Sequence, residues 1–262
     1  MISEKVSVLI RNKNQESALS FLLRNLTERY DDDIDEIILL DNNSTDNSVK
    51  IAGNYNVKVV PIHKFGYGSS ANTGAAIAKS RIVVIFSAHA YPISHDFFKQ
   101  IIKRFEKNKN LAGLRCLHNR NDFKAYINKM TAKDDPRQAG LIFCGSAFNR
   151  DVWKNNRFKP DIITMEDKEW SIRVLNKGFE IDFVPSIFCY DISRSRSQEF
   201  FRFKSETYGS YDLWNTRFGI KNVLRGFVMK IILIFYKGYL DILYTMKMLL
   251  FQLKFLIEKR NE

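Results

Sequence analysis

Cysteine and long apolar runs are both scarce in this sequence. The three cysteines lie far apart and lack the Cys-x-x-Cys or Cys/His spacing of metal sites. This composition argues against a disulfide framework or a zinc site, and it predicts buried, reduced thiols. The sequence has no run of roughly 18 apolar residues, so it predicts no transmembrane helix. The start, MISEKVSVLIRNKNQ, lacks the apolar core of a signal peptide, and we expect a cytoplasmic protein.

Acidic residues are also in deficit. The 262 residues include 41 Lys and Arg but only 29 Asp and Glu, which gives a formal net charge of +12. The excess is concentrated from residue 194 onward, where 13 basic residues stand against six acidic ones. Such a balance indicates a polyanionic partner: nucleic acid, an anionic membrane or a phosphate-bearing substrate. The sequence carries no RNA- or DNA-binding motif, so we expect no nucleic-acid partner.

The first ninety residues alternate strand and helix patterns. Apolar runs predict strands over 6–10, 34–40, 57–60 and 82–86. Helical patterns fall at 18–26, near 45–46 with Ser44 or Thr45 as N-cap, and at 71–79. This alternation predicts a parallel, doubly wound sheet, in which ligands bind beyond the carboxyl ends of the strands. Asn12, Asp41 and His89 each follow a strand, so we expect them to meet in one crevice.

The middle of the chain is less regular. Its pattern predicts a helix over 95–108, a strand over 111–117, a mobile polar loop over 119–138, a strand within 140–148 feeding a short helix at 151–155, a helix over 166–177, and short strands at 181–184 and 187–190. Gly178 follows the last of these helices and is a natural C-cap.

The chain becomes aromatic and basic near its C-terminus. A helix is predicted over 198–214, and an apolar stretch from 223 to 257 is broken by Lys230, Lys237, Asp241, Lys247 and Lys254. Lysines seven residues apart share a helix face, so one or two amphipathic helices could lie on a bilayer surface. Packing on their own domain or on a second subunit is an equal alternative. We therefore expect one domain over 1–212 and basic C-terminal helices over 213–262.

Three segments of the chain share their order and spacing with a known family. They are VSVLIRNKN at 6–14 with ILLDNNSTDNS at 38–48, FGYGSSANTGAAIAKSRIVVIFSAHAYP at 65–92, and MEDKEWSIRVLNKGFEIDFVP at 165–185. Together they resemble glycosyltransferase family 2, the inverting nucleotide-sugar enzymes of the GT-A fold. The resemblance implies a three-layer α/β/α domain with a mostly parallel central sheet, followed by the C-terminal helices.

In that family the early strand ends hold the nucleotide donor. The donor-binding residues that the resemblance implies here are Arg11, Asn12, Lys13, Asp41, Asn42, Gly68, Asn72, Ser87, His89 and Arg194. Many members carry two acids where this chain has Asp41-Asn42. An amide can still bond the edge of uracil or thymine, so we expect a UDP or dTDP sugar. Backbone N–H groups of the loop 66–72 would face the diphosphate. A turn or capping role is the alternative for Asp41.

Glu166 and Asp167 match the acidic pair from which the family draws its general base. The resemblance assigns to Asp167 the removal of the acceptor proton as the hydroxyl attacks the anomeric carbon, with Glu166 as second candidate. Both carboxylates could instead simply favour a helix N-terminus. Trp170 either packs in the domain or offers a platform to a sugar ring.

The family's metal site departs from its usual form. Where many members carry Asp-x-Asp for Mg²⁺ or Mn²⁺, this chain reads Ser87-Ala88-His89, a form that a subset of the family resembles. A histidine that often completes the site aligns with Asp191, so His89 and Asp191 are the predicted metal ligands. The alternatives are a structural role for His89 and metal-independent catalysis by Arg194, Arg196, Arg202 or Lys204. The other histidines, at 63, 95 and 118, have no partner spacing and are interpreted as surface or structural residues.

Together these expectations predict an inverting glycosyltransferase that transfers a hexosyl or deoxyhexosyl group in surface polysaccharide synthesis. Its expected partners are a nucleotide sugar, a glycan or lipid-linked glycan acceptor, the anionic inner face of the cell membrane, and a second copy of the chain through the C-terminal helices. Two alternatives stay open at this point. The absence of the Asp-x-Asp motif is consistent with a catalytically weak scaffold of the same fold. The net positive charge is consistent with a basic protein that binds a polyanion.

Overall fold

The computed structural model describes residues 4–260, with side chains to residue 259. The chain falls into two compact units, of which the first ends at Gly209 and the second begins at Ser210. The outer ends of the two predicted domains, residues 1–3 and 261–262, lie outside the described residues. The predicted limit between residues 212 and 213 falls inside a continuous helix.

The first unit is built on an eight-stranded mixed sheet, counted over the described residues. Its strands are Val6–Asn12 (β1), Ile34–Asp41 (β2), Val57–Pro61 (β3), Ile82–Ser87 (β4), Ala90–Pro92 (β5), Leu111–Leu117 (β6), Ser146–Asn149 (β7) and Glu180–Tyr190 (β8). Their order is β3-β2-β1-β4-β7-β6-β8-β5, with β1 to β4 parallel and β7 antiparallel to both neighbours. The carboxyl ends of β1, β2 and β4 therefore meet at one edge, and the predicted α/β fold is confirmed.

Helices cover both faces of this sheet. The α-helices within residues 4–260 are Glu16–Arg29 (α1), Ser48–Ala52 (α2), Tyr67–Ile77 (α3), Phe97–Lys107 (α4), Arg120–Ile127 (α5), Pro136–Ala139 (α6), Arg150–Lys154 (α7), Glu166–Leu175 (α8), Arg196–Trp214 (α9) and Ile220–Arg260 (α10), of which α10 belongs to the second unit. Alternate strand residues point to opposite faces. Val8 and Ile10 pack with α1 and α4 in one core, whereas Leu9 packs with α3 and α8 in the other. This gives the three layers that the resemblance implied.

Several local predictions were wrong. The stretch 119–138, predicted as a loop, contains α5 and α6, whose N-caps Asn119 and Asp135 accept hydrogen bonds from backbone N–H groups. Its polar composition concealed these helices, because α5 buries only two of its side chains. The two short strands predicted after Gly178 form the single strand β8, whose register against β6 shifts between Phe183 and Ile187. The short edge strand β5 was not predicted at all.

The start of α2 also differs from the prediction. The helix begins at Ser48 with Asn47 as its N-cap residue, not at Ser44 or Thr45. Ser44 is displaced from that role because its hydroxyl bonds Asp41 instead, at 2.6 Å.

The second unit is dominated by α10, one continuous helix where one or two were predicted. Large apolar side chains are exposed along it, from Val223 to Ile257. None of the helices within residues 4–260 is long and apolar enough to cross a membrane. The helix therefore presents an apolar surface that lysines interrupt.

Candidate active site

A hydrogen-bond network around Asn12 and Asp41 joins the carboxyl ends of β1 and β2. Both residues are buried. The Asn12 amide donates to Asp41 Oδ1 at 3.0 Å and to Ser44 Oγ at 3.1 Å, while Asp41 Oδ2 accepts from Ser44 N–H at 2.9 Å. Asn12 Oδ1 has no hydrogen-bond partner among the described residues. A buried acceptor of this kind needs a donor group, which a nucleotide base can supply.

Two further predicted donor-binding residues flank this network. The Asn42 backbone N–H donates to the Asn12 carbonyl at 2.9 Å, and the Asn42 side chain is half-buried. Lys13 is exposed next to Asn12. Both side chains are thus accessible to a ligand bound at the strand ends.

Arg11 connects the end of β1 to the start of α8. Its guanidinium donates a hydrogen bond to the Phe143 carbonyl, and its Nη1 lies 3.7 Å from Glu166 Oε1. The rings of Tyr67 and Phe143 flank the guanidinium, with centroids at 5.3 Å and 5.7 Å. Nη1 has no hydrogen-bond partner in the part of the chain that the structure describes. A cation with a spare donor therefore lies between the strand ends and the acidic pair.

Two backbone N–H groups hold Asp167 in one orientation. Its Oδ2 accepts from Phe143 N at 2.8 Å, and its Oδ1 accepts from Lys168 N at 2.7 Å. The acidic pair follows Met165, whose backbone is left-handed with φ 65°. Such strain in a residue other than glycine costs about 1–3 kcal/mol and is concentrated at functional sites. Phe143 thus bonds the predicted base through its N–H and Arg11 through its carbonyl.

Glu166 adjoins Asp167 but lies in a different environment. Its side chain is 5% exposed, and burial raises the pKa of Glu166 to about 8. The charge of Asp167 adds to the rise, and Arg11 opposes it. A carboxyl group with this pKa is largely protonated at neutral pH, so it is a poor base there. The structure therefore disfavours Glu166, the second candidate, and Asp167 stays the predicted base.

The raised pKa makes a prediction about stability. Glu166 binds its proton more tightly in the folded state, so its contribution is fully present below about pH 4.5 and is lost as the pH rises through about 8. Between those limits, the free energy of unfolding should fall by up to about 1.4 kcal/mol per pH unit relative to the Glu166→Gln variant. Urea unfolding at several pH values measures this difference. Glu28→Gln, at an exposed position of α1, should follow the wild type; equal slopes in all three proteins would contradict the prediction.

His89 follows β4 among aromatic and basic side chains. Its Nδ1 is 2.7 Å from Gln15 Oε1, so Nδ1 carries the proton and Nε2 is an acceptor without a hydrogen-bond partner in the described chain. Tyr190 contacts the imidazole edge-on at 4.9 Å, and its hydroxyl accepts from Arg194 Nη2 at 2.6 Å. Burial, helped by the charges of Arg194 and Arg11, lowers the pKa of His89 to about 4. The imidazole is therefore neutral at physiological pH.

A divalent cation would find few protein ligands here. No group of three or more His, Cys, Asp or Glu side chains that could hold a metal ion occurs in residues 4–260. His89 Nε2 is a suitable ligand atom, and Asp191 is adjacent, since its backbone N–H donates to the His89 carbonyl at 2.9 Å. Arg11 and Arg194 place positive charge beside this imidazole, which disfavours a cation. The residues present do not form a complete metal site, and the His89–Asp191 pair stays a prediction.

The segment 66–72 differs from the predicted phosphate loop. Helix α3 already begins at Tyr67. Gly68 is buried, and a side chain there would meet the Lys159 carbonyl oxygen at 2.4 Å. Asn72 Nδ2 donates to the Phe158 carbonyl at 2.7 Å, while its Oδ1 accepts from Phe158 N at 3.0 Å and from a tryptophan indole. Gly68 and Asn72 therefore fasten α3 to the segment before α8, and their predicted donor contacts stay a prediction.

Ser87, a predicted donor-binding residue, and Trp170, a possible sugar platform, both contact other side chains of the protein. Ser87, at the end of β4, hydrogen bonds to Cys144, although burial still raises the pKa of that thiol to about 11. Trp170 is fully buried against Phe148 and Phe158, so the sugar-platform alternative for this residue is wrong.

His118 and Asp122 form a pair that our sequence interpretation missed. His118 Nδ1 lies 2.7 Å from Asp122 Oδ2, and its ring stacks on Phe188 with a centroid separation of 4.8 Å. Arg115 bonds the same carboxylate at 2.7 Å. Burial alone would raise the pKa of Asp122, but the bonds from His118 and Arg115 hold it below its ordinary value. His118 and Asp122 are four residues apart at the start of α5, and this spacing could have indicated the pair. The interpretation of His118 as a residue without a partner was wrong.

Sequence comparisons agree with this arrangement. The model of the family "Glycosyl transferase family 2" matches residues 7–175. A curated relative from Methanococcus voltae, dolichyl N-acetyl-alpha-D-glucosaminyl phosphate 3-beta-D-2,3-diacetamido-2,3-dideoxy-beta-D-glucuronosyltransferase, is 26% identical over 288 residues. That alignment covers 98% of this chain and 89% of the relative.

Solved structures are similar at the level of the fold. A mannosyltransferase from Pyrobaculum calidifontis, in complex with GDP-Man and Mn²⁺, gives a TM-score of 0.67 at 16% identity, over 83% of this chain and 66% of that one. Glucosyl-3-phosphoglycerate synthase from Mycobacterium tuberculosis, in complex with Mn²⁺, UDP and phosphoglyceric acid, gives 0.60 at 16% identity, over 78% and 75% of the two chains. At these identities the likeness establishes the fold alone.

Proposed function

Because this chain belongs to glycosyl transferase family 2, we propose that it moves a sugar from a nucleotide-diphosphate donor to an acceptor hydroxyl with inversion. The chain is a glycosyltransferase; its donor, acceptor and stereochemistry are the proposal. One observation carries it. Phe143 bonds Asp167 and Arg11 at once, which holds a carboxylate and a guanidinium beside the strand ends predicted to bind the donor.

In this proposal Asp167 is the general base. The acceptor oxygen loses its proton to Asp167 as it bonds to the anomeric carbon, and the bond from that carbon to the donor diphosphate breaks. The two N–H groups that Asp167 accepts from fix the direction of its carboxylate. A base held in this way needs little reorganisation when the acceptor arrives.

Arg11 and Arg194 are proposed to stabilise the leaving diphosphate. A guanidinium can donate two parallel hydrogen bonds to a phosphate and offsets the negative charge that develops on it. Arg11 Nη1 is a donor without a hydrogen-bond partner among residues 4–260, and Arg194 lies beside His89 through Tyr190. No step is assigned to a metal ion, because the protein side chains at this position do not complete a site for one.

The proposed donor is a UDP or dTDP sugar carrying a hexosyl or deoxyhexosyl group. Asn12 Oδ1, a buried acceptor, suits the ring N–H of uracil or thymine, and the half-buried Asn42 amide can bond the same edge. The proposed acceptor is a surface glycan or a lipid-linked glycan. Support comes from the Methanococcus voltae relative, whose name specifies a dolichyl N-acetylglucosaminyl phosphate.

A nucleotide panel tests this function. Thermal unfolding is measured with UDP, dTDP, GDP or CMP, each in Mn²⁺ and in EDTA, and the anomeric configuration of the product is read by NMR. We expect UDP or dTDP to stabilise the chain in EDTA, by about 2.7 kcal/mol at a hundredfold excess over Kd. Stabilisation confined to Mn²⁺ would favour the His89–Asp191 metal pair. If no nucleotide stabilises the chain under either condition, the proposed nucleotide-diphosphate donor is wrong.

We extend the proposal to an anionic membrane surface for α10. Its apolar side chains are exposed, and its lysines can reach anionic headgroups, an attraction of about 1 kcal/mol for each lysine near the surface. Peripheral attachment at the inner face of the cell membrane would bring the enzyme to a lipid-linked acceptor.

Deleting residues 220–262 should release the protein from membranes. Full-length and truncated chains are sedimented with phosphatidylglycerol vesicles, and with phosphatidylcholine vesicles as the uncharged control. We expect only the full-length chain to sediment with the anionic vesicles. A truncated chain that still sediments would contradict the anchor. If the full-length chain is a dimer and sediments with neither kind of vesicle, a second copy of the chain is favoured as the partner of α10.

A further inference from the structure

A basic groove lies outside the site described above. Its volume is about 500 Å³, and α4, the segment after α5 and the first half of β8 form its walls. Its charged lining residues are Lys103, Arg104, Lys107, Lys129 and Asp182. The groove exists because β5 pairs with β8 only over Phe188–Tyr190, which leaves the earlier part of that strand open on its outer side.

The charges of the groove do not balance. Arg104 and Asp182 form an ion pair with each other, so three lysines face the groove without a lining carboxylate of their own among the described residues. Lys103 and Lys107 are one helical turn apart, which places both ammonium groups on one face of α4. Arg104 Nε is buried and has no hydrogen-bond partner within residues 4–260. The groove thus combines excess positive charge with an unused N–H donor.

Lys129 contributes one cation of the groove from the left-handed turn that ends α5. This residue has φ 56°, a left-handed conformation that glycine or asparagine adopts most readily. Another residue there costs roughly 1 kcal/mol, so the conformation favours glycine while the position carries a lysine. Tyr126, Met130 and Pro185 add an apolar wall beside the cations. Such a mixture of charge and apolar surface is typical of a small-molecule site.

We propose that this groove binds a ligand carrying two or more phosphate groups, at a site separate from the donor site. Lysines attract phosphate as point charges, and Arg104 Nε adds a directed hydrogen bond. The β8 residues that line the groove, Asp182 to Pro185, precede Tyr190 by about five to eight positions, or roughly 16–26 Å along the strand. A soluble phosphorylated compound and a phospholipid headgroup share the required chemistry.

Calorimetry with inorganic tripolyphosphate tests the site on the full chain. The groove variant is Lys103→Glu with Lys107→Glu. The control variant, Lys58→Glu with Lys124→Glu, makes the same change in net charge at two exposed positions outside the groove. The donor site is unaltered in both, so a difference between them isolates the groove. We expect the groove variant to bind about tenfold more weakly than the control, and the wild-type affinity to fall with added salt.

Vesicles of phosphatidylcholine with phosphatidylinositol 4-phosphate, whose headgroup carries two phosphate groups, then identify the source of the phosphate. If the groove variant also loses binding to these vesicles relative to the control variant, the site takes a lipid headgroup. If vesicle binding is unchanged and only tripolyphosphate binding weakens, the site takes a soluble ligand. Equal weakening of tripolyphosphate binding in the groove and control variants would overturn the proposal, as would no binding by the wild type.

Discussion

The Asp167→Asn enzyme should lose about 10²- to 10⁴-fold in kcat, because general-base catalysis contributes a factor of this size. Asparagine fills the same space but cannot take up the acceptor proton. The KM for the donor should change little, since the residues predicted to bind the nucleotide lie at the ends of β1 and β2. Initial rates at saturating donor and acceptor measure the effect.

The same substitution has a structural consequence that must be separated from the catalytic one. The Asp167 carboxylate accepts from two backbone N–H groups, whereas the amide oxygen can accept from one and its NH₂ faces the other. A buried donor left unsatisfied costs about 1–3 kcal/mol, so thermal unfolding accompanies the kinetics. Asp161→Asn, at an exposed position ahead of α8, is the matched control and should behave as wild type. A folded Asp167→Asn enzyme with normal kcat would remove the base assignment.

The Arg11→Gln enzyme should lose about 10²- to 10³-fold in kcat/KM, the loss typical when one preorganised donor to a developing charge is removed. The substitution removes the cation nearest both Glu166 and the strand ends, together with the bond to the Phe143 carbonyl. Arg11→Lys keeps the charge without the forked geometry, so it should retain an intermediate rate.

A neutral control distinguishes this effect from a general loss of positive charge. Arg24 lies exposed on α1, and Arg24→Gln should leave kcat/KM unchanged. If Arg11→Gln also turns over within about twofold of wild type, a difference far below the effect of a lost transition-state contact, the leaving-group role of Arg11 is wrong. If both Arg11 variants bind donor normally but fail only in kcat, the guanidinium acts on the transition state and not on the bound substrate.

The protonation of Glu166 bears directly on these two results. Its carboxyl group is buried beside Asp167, and two adjacent negative charges are costly. A proton on Glu166 removes that repulsion and leaves the charge of Arg11 uncompensated, although the two side chains are only 3.7 Å apart. The cation is then available to a diphosphate.

The strands and helices of the first ninety residues were predictable because their signals are local. An apolar run followed by a polar turn marks a buried strand wherever it occurs, and β1, β2 and β4 begin where that pattern placed them and end one or two residues later. The polar helix α5 was not predictable in this way, since it lacks an apolar stripe and buries little. Its N-cap and the His118–Asp122 spacing are present in the sequence. The same residue types also occur in many turns, so neither pattern distinguishes a helix from a loop.

The sequence by itself determined the family, the α/β fold and the glycosyltransferase activity, because motif order and hydrophobic period are properties of the chain as written. Only the tertiary structure decided that burial raises the pKa of Glu166 and lowers that of His89, and that Gly68 and Asn72 fasten a helix. Each of these depends on burial or on a partner tens of residues away. Desolvation and long-range hydrogen bonds arise only when the chain has folded, so no local pattern encodes them.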